Sequence, residues 1–583
     1  MGDGPNAVAV ADGSVWVSNE LDGTLSRIDP ARNVSVPALT TGNQPEGIVP
    51  ADGRLFVAVR ASGTGHRGGT LTVLEDGRDA QTLDPALVVD AHQTQLIVLT
   101  SDGLVGYRRV GGIAGGKLVA DLAVSMPVPT DGGRTYSFRL RPGIRYSTGA
   151  LLRPEDFRRA FERTLSIGAD AGVLNSPALA EIVGGRRCLA EPHRPCDLSR
   201  GVVADPAANT VTIHLTRPDP TFLYDLPWVA AFPVPSGTPM GPTPFVPGTG
   251  PYRIASFDKR GVKLVRNRFF HEWSRAAQPD GNPDVIRVRF GGTPEGRISA
   301  VLGGRADLAS WGPAPSPRTL ESLRTRQLGR LRVTPWYVTW FLALNTRAAP
   351  FDNVLARRAL NFAIDRAHLR DLTIGQGLGQ VTCQVLPPDL DGYSPYCPYT
   401  IGPIAAGTWT APDLARARAL VRRSGTAGKQ VTVWIPHYIG FSRAPGQYVV
   451  SVLNSLGYHA RLRMGRQRPS DEQVSFWVWT PNFAAAAGFI PTALACNLSL
   501  NDGNEARFCD PAIDREMARA QSLSGSDPVQ ANTLWARIDH ELTDLGPWVP
   551  YANRLFLEVV SERVGNYQWH PQWTTLLDQL WVR

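Results

Sequence analysis

Two hydrophobic rhythms alternate along the chain, and the clearest change from one to the other lies between Thr334 and Arg366. Trp336 to Leu342 is aromatic and β-branched, which suits a strand. Asn345 and Thr346 end the run, and Pro350 marks the break. Asp352 is placed to cap a helix, because its carboxylate can accept from the free amides of a first turn. Leu355, Ala359, Phe362 and Ala363 then recur at helical spacing, with Arg357, Arg358, Asp365 and Arg366 largely off that face. The pattern predicts strand, tight loop, helix.

The same reading finds further elements. Tyr136, Phe138 and Leu140 alternate as in a strand, Pro142-Gly143 is a turn, and Pro154-Glu155-Asp156 opens a helix with its acids at the positive end of the dipole. Asn209–Leu215 alternates as a strand. Pro412-Asp413 opens a helix that runs through Arg423 and is closed by Gly425.

Residues 1–75 carry an internal repeat. Pro5 matches Pro45, Asp12-Gly13 matches Asp52-Gly53, and Trp16 matches Phe56. Gly23-Thr24-Leu25 matches Gly69-Thr70-Leu71 after a short insertion, SGTGHR. Short alternating strands with Asp-Gly turns at this period resemble β-propeller blades of the YVTN or virginiamycin-lyase type. Two such units cannot close a ring, so the resemblance implies the tail of a larger propeller or an opened remnant.

Composition narrows the classes. The 583 residues are 43 % hydrophobic, enough for several domains with cores of their own. The net charge of +8 is carried by arginine, since Lys117, Lys259, Lys263 and Lys429 are the only lysines. The arginines are scattered among acids rather than clustered with exposed aromatics, so they read as a solvated surface and nucleic acid is not an expected partner. Met1–Pro5 lacks the basic and apolar regions of a signal peptide, and no stretch reaches the ~18 apolar residues of a membrane span. The chain is expected to be soluble, whether whole or part of a longer protein. The six cysteines form three neighbouring pairs, Cys188 with Cys196, Cys383 with Cys397 and Cys496 with Cys509. Pairing by proximity implies three disulfides and a site outside the reducing cytosol, with free buried thiols as the alternative. No C-x-x-C spacing points to a metal.

No catalytic constellation appears. There is no H-E-x-x-H and no G-x-S-x-G. Gly111–Leu118 (GGIAGGKL) has Leu118 where a phosphate loop needs Ser or Thr, and reads better as a hairpin loop. Gly375–Gly379 lacks the rest of a dinucleotide fingerprint. No enzyme activity and no cofactor are expected.

Several segments together resemble one family. These are TLDPA from Thr82, the Thr135–Leu165 block, GTGPY from Gly248, LNT…PFDN…RRALNFAIDR from Leu344, VWTPNF from Val478 and LGPWVPYANRL from Leu545. They look like the family 5 extracellular solute-binding proteins, the peptide receptors of ABC importers, in order over roughly residues 81–583. The resemblance implies an α/β fold of two periplasmic-binding-protein-like lobes. Lobe one would comprise 79–110, 236–325 and 546–583, with an extra subdomain at 111–235. Lobe two would span 326–545, with the all-β, propeller-like fragment ahead of both. It implies a peptide or peptide-like solute in a cleft between the lobes, an ABC permease and ATPase as partner, an extracytoplasmic location and a monomer. The implied ligand residues are Trp336, Val338, Trp340, Trp477, Trp479, Thr480, Asn482 and Phe483. Where peptide receptors carry an aspartate for the ligand ammonium, three residues after the tryptophan, this chain has Asn482. An amide offers only a neutral hydrogen bond. The N-terminal repeat leaves a second reading, a ligand-sensing module of a larger membrane-bound signalling protein.

Overall fold

The computed structural model describes residues 5–19, 24–41, 45–59, 66–77, 82–88, 91–171, 177–191, 194–310, 314–402, 407–437, 440–498, 503–525 and 527–582. Gln81, where the receptor resemblance begins, and residues 62–65 of the repeat's insertion lie outside them. The chain divides into two compact units, one formed by Met1–Asp219, Leu223–Gly312 and Glu558–Arg583, the other by Pro220–Phe222 and Pro313–Leu557.

In the first unit, the N-terminal repeat forms small antiparallel sheets rather than a propeller. Pro5–Ala11, Ser14–Asn19, Thr24–Asp29 and Val34–Thr40 make a four-stranded sheet, and Pro45–Ala51 pairs with Arg54–Val59 as a hairpin. Both predicted Asp-Gly turns are present, with left-handed backbone at Asp12, Gly13, Asp52 and Gly53. Ala9, Leu25 and Ile48 give these sheets a small shared core. The third match of the repeat fails. Thr24–Asp29 is an antiparallel strand of the small sheet, whereas Thr70–Glu75 lies parallel to both Val285–Phe290 and Leu308–Ala309. Leu71 and Val73 are fully buried there. Thr70–Glu75 is therefore an interior strand of the first unit's main sheet, flanked on the far side by Gly261–Arg266 and Tyr252–Asp258.

A three-stranded sheet of Thr135–Arg139, Thr210–His214 and Val202–Asp205 accompanies the helix Glu155–Ala171. Arg163 of that helix is fully buried and grips Asp84 with both terminal nitrogens, at 2.6 and 2.5 Å. Burial alone would raise the Asp84 carboxyl, but the hydrogen bonds and charge of Arg163 hold it below the usual range. Gly111–Lys117 connects the paired strands Val105–Tyr107 and Leu118–Ala120, a hairpin connection as expected.

The second unit has a sheet in the order Trp548–Val560, Leu331–Leu344, Glu472–Trp479, Gln430–Pro436 and His459–Gly465, with Gly379–Val381 also on Trp548–Val560. Helices Val354–Ala363, Leu414–Ser424 and Ala444–Ser455 pack on it around a core that includes Leu342, Phe362, Val449 and Tyr551. Asp413 and Gly425 cap Leu414–Ser424 as predicted. Two expectations are corrected. Asn353, not Asp352, caps the helix Val354–Ala363, because its side chain reaches the Leu355 amide at 2.9 Å. Arg357 and Arg366 are buried rather than off the packed face. Their guanidiniums find main-chain carbonyls inside the unit, so long polar heads are satisfied without reaching water.

Disulfides join Cys188–Cys196, Cys383–Cys397 and Cys496–Cys509, with Cα separations of 4.9, 5.1 and 4.4 Å. Non-reducing peptide mapping is expected to find these three linked pairs. Each closes a short loop, so reduction should cost about 2–3 kcal/mol per bridge in the chain-entropy model. The strand assignment gives a second test. Removing residues 1–59 should leave the thermal melt of both units in place. Removing residues 1–75 deletes the buried Leu71 and Val73 together with a two-sided ladder, and should abolish the first unit's cooperative transition by circular dichroism.

Candidate functional site

The predicted ligand residues fall on two neighbouring strands of the second unit. Thr339 pairs with Trp479, Trp340 with Val478 and Phe341 with Trp477. Glu472–Trp479 ends there, so Thr480, Asn482 and Phe483 leave the sheet beside Val338. The third strand reaches the same level, since Asn553 donates from its amide nitrogen to the Val338 carbonyl at 3.0 Å and to Thr339 Oγ1 at 3.1 Å. Asn553, Val338, Thr339 and Trp479 thus lie at one level across three strands, where the chain turns out of the sheet.

Around that level the eight residues divide. Trp336 is half-buried, edge-on to Phe556 at 6.4 Å, with the Arg554 guanidinium over its ring. Trp479 is half-buried, donates to the Phe489 carbonyl at 3.3 Å, and has Gly503 against its ring. Any side chain at Gly503 would collide with that ring, and its φ of 108° also favours glycine. Thr480 is exposed. Asn482 is half-buried in a tight turn, its amide donating to the Gly488 carbonyl at 3.0 Å.

The other four serve packing. Val338 and Phe483 are buried side chains. Trp340 faces the helices, its ring 5.3 Å from Phe441 and against the unit's core. Trp477 is boxed in by Trp434 at 6.0 Å and by Arg468 at 5.7 Å. Arg468 is itself tied to Glu472 and Glu505 at 3.0 and 2.6 Å. Burial pushes the Glu505 carboxyl up to about 7 against the pull of Arg468. Strand alternation does not make the division, because Trp336, Val338 and Trp340 share one face and Trp477 and Trp479 the other; what differs along each face is the set of neighbours that covers it.

Groups that sequence reasoning missed complete the surroundings. Thr339 Oγ1 donates to the Val385 carbonyl at 2.9 Å. That loop is held by Asp539, fully buried on the helix Pro528–Leu545, which accepts from the Val385 and Leu386 amides at 3.1 Å and from Gln384 Nε2 at 2.6 Å. Burial outweighs these donors and pushes the Asp539 carboxyl up to about 6. Tyr337, also buried, is raised by burial and then by the charges of Asp389 and Asp391, which brings two acids to this end of the sheet. No group of acids, histidines and cysteines able to hold a metal occurs among the described residues.

Two outcomes follow from the packing. Trp340→Ala, which removes a half-buried ring packed against the core, should lower unfolding free energy by about 2–3 kcal/mol, while Trp336→Ala, whose ring meets only Phe556 and Arg554, should cost about 1 kcal/mol. Urea denaturation followed by fluorescence separates them. Asp539 binds its proton more tightly folded than unfolded, so its contribution is present below about pH 4 and is lost as pH rises through about 6. The second unit should therefore lose about 2–3 kcal/mol between those values, and Asp539→Asn should flatten that slope in urea titrations at the two pH values.

Known proteins share this architecture. The family model for bacterial extracellular solute-binding proteins, family 5 (middle), matches residues 117–499. The probable di/tripeptide-binding protein 5 of Pseudomonas aeruginosa (strain UCBPP-PA14) is 25 % identical over 494 residues, 78 % of this chain and 85 % of that protein. The glutathione-binding protein GsiB of Salmonella typhi is 22 % identical over 517 residues, 85 % of this chain and 91 % of that protein. Among solved structures, clavulanic acid biosynthesis oligopeptide binding protein 2 aligns with a TM-score of 0.76 at 23 % identity, over 89 % of this chain and 96 % of its own. The chain therefore belongs to the bacterial extracellular solute-binding proteins of family 5, which are transport receptors and not enzymes.

Proposed function

We propose that this protein receives a peptide or peptide-like solute outside the cytoplasm and delivers it, as a monomer, to an ABC permease and ATPase. The observation that carries the reading is the run of partly exposed Trp479, Thr480 and Asn482 where Glu472–Trp479 leaves the sheet, with half-buried Trp336 further along the neighbouring strand. Partly exposed aromatic walls beside main-chain groups freed at strand ends suit a ligand rich in amide groups. The relatives' names, a di/tripeptide-binding protein and a glutathione-binding protein, favour the same class. The three disulfides suit an oxidising compartment. On this reading the N-terminal sheets are a remnant of a longer β-array that takes no part in solute binding.

Asn482 sets the choice among peptides. An amide supplies no counter-charge to a ligand ammonium. N-acetylated tripeptides are expected to bind more tightly than the same tripeptides with free amines, as read by calorimetry. Asn482→Asp should raise the affinity of the free-amine form by about ten- to a hundredfold, since a close opposite charge in a partly desolvated site is worth about 1–3 kcal/mol. Tight binding of the free amine that ignores Asn482→Asp but is lost in Asp391→Asn would move the ammonium to Asp391. Failure of every tripeptide to bind would overturn the peptide reading.

A further inference from the structure

The chain that leaves the sheet after Trp479 comes back past it. The short helices Ala486–Phe489 and Pro491–Leu494 lead to Cys496, and residues 503–509 lead on to the helix Pro511–Leu523. The Cys496–Cys509 bridge joins the outgoing and returning arms at their neck. Asn504 ties the same arms, donating to the carbonyls of Ala495 at 3.2 Å and Phe508 at 2.7 Å and accepting from the Phe508 amide at 3.0 Å. The returning arm lies against the tryptophan wall. A methyl group at Gly503 would stand 2.3 Å from the Trp479 ring, so backbone and ring touch with no space between them. Glu505, two residues on, holds Arg468 at 2.6 Å, and the Arg468 guanidinium lies 5.7 Å over the Trp477 ring.

The three disulfides differ in access. Cys383 and Cys397 are 3 and 0 % exposed, and Cys188 is 6 % exposed. Cys509 is exposed and Cys496 half-buried, whereas Gly503, Asn504, Glu505 and Ala506 inside the loop are buried. A surface bond therefore closes a buried loop. Thiol–disulfide exchange requires a thiolate to reach one of the two sulfurs, so an accessible bridge reacts in the folded protein and a buried one waits for unfolding. With the bridge open, the neck keeps Asn504 and the hydrogen bond from the Cys496 amide to Asp514 at 3.2 Å. Hydrogen bonds of this kind exchange with water, and the freed loop regains the conformational entropy that the cross-link removed.

We propose that the Cys496–Cys509 bridge is a redox latch on the solute wall: a dithiol reductant opens it in the folded protein, Gly503 withdraws from Trp479, and solute binding weakens. The effect on solute rests on the peptide-receptor reading. One thiolate of the reductant attacks Cys509 Sγ and forms a mixed disulfide, while Cys496 leaves as a thiolate and takes up a proton. The second thiol of the reductant then displaces Cys509, which also leaves and is protonated. The reductant ends as a disulfide, and two electrons and two protons have passed to the cysteine pair. Reoxidation reverses the exchange, so the receptor holds its solute firmly only in oxidising surroundings.

The test treats the full chain with dithiothreitol under native conditions and traps free thiols by alkylation. Hydrogen exchange at residues 503–508 and calorimetric binding of N-acetyl-trialanine are read on the same samples. Cys496 and Cys509 are expected to be alkylated before any other cysteine, with far-ultraviolet circular dichroism unchanged. The 503–508 amides should then exchange about ten- to a hundredfold faster, and tripeptide affinity should fall by about tenfold or more, both returning on reoxidation. The double variant Cys496→Ser, Cys509→Ser should reproduce the opened state without reductant. The double variant Cys188→Ser, Cys196→Ser should leave both readouts as in wild type. Opening of another pair first, or unchanged exchange at 503–508 once Cys496 and Cys509 are free, overturns the latch. Faster exchange with unchanged affinity overturns its hold on the solute and leaves the peptide reading standing. If the oxidised protein binds no tripeptide, the peptide reading fails, and the order of alkylation and the exchange at 503–508 decide the latch by themselves.

Discussion

A guanidinium buried without an anion organises the second unit. Arg366 is fully buried, and burial lowers its pKa to about 10. Its donors are consumed by the Pro550 carbonyl at 2.9 Å, the Asn361 carbonyl at 2.7 Å and Asn361 Oδ1 at 3.0 Å. The Asn361 amide in turn donates to the Trp548 carbonyl at 3.0 Å. One end of the helix Val354–Ala363 is thereby fastened to the start of the Trp548–Val560 strand. Asn553, a few residues along, then meets Val338 and Thr339 and sets the level at which the candidate site opens. Removing either partner would strand a buried polar group, so the network is all-or-none.

Arginine is used in several physical roles. Arg357 and Arg358 donate to the carbonyls of Leu545 and Asp544, the last residues of the helix Pro528–Leu545, where positive charge meets the negative end of the dipole. Arg163 with Asp84 and Arg109 with Asp578 are fork-to-carboxylate pairs inside the first unit. The scattered arginines that read as a solvated surface thus include much of the internal polar framework. The RRALNFAIDR run illustrates this, because Arg357, Arg358, Asn361, Asp365 and Arg366 all hold main-chain groups, and Asp365 caps the following helix.

The N-terminal segment shows how a repeat misleads at its edge. Asp12-Gly13 and Asp52-Gly53 make equivalent turns, because the positive φ they need is a local property. Gly69-Thr70-Leu71 matches Gly23-Thr24-Leu25 in letters yet enters another sheet. A strand's partner depends on which unpaired ladder it meets, and a short alternating string carries no record of that.

Local physics was readable in the chain. The strand through Trp336–Leu342, the helix from Asp413 to Gly425, the hairpin at Gly111–Lys117 and the neighbouring cysteine pairs depend on rotamer fit, capping, turn geometry and short loops, all set within a few residues. The combined motifs also carried the family. Tertiary structure decided what covers each strand along its length. It set Trp340 against the helix-side core and Trp477 against Trp434 and Arg468, and Trp336 against Phe556 and Arg554, leaving all of these tryptophans and Trp479 half-buried. It brought Asn553 and Arg554 beside Val338 and Trp336 from more than two hundred residues away. It also drew Arg366 into the core. The physical reason is that side-chain period settles alternation but not face, while register and burial are set by partners distant in sequence.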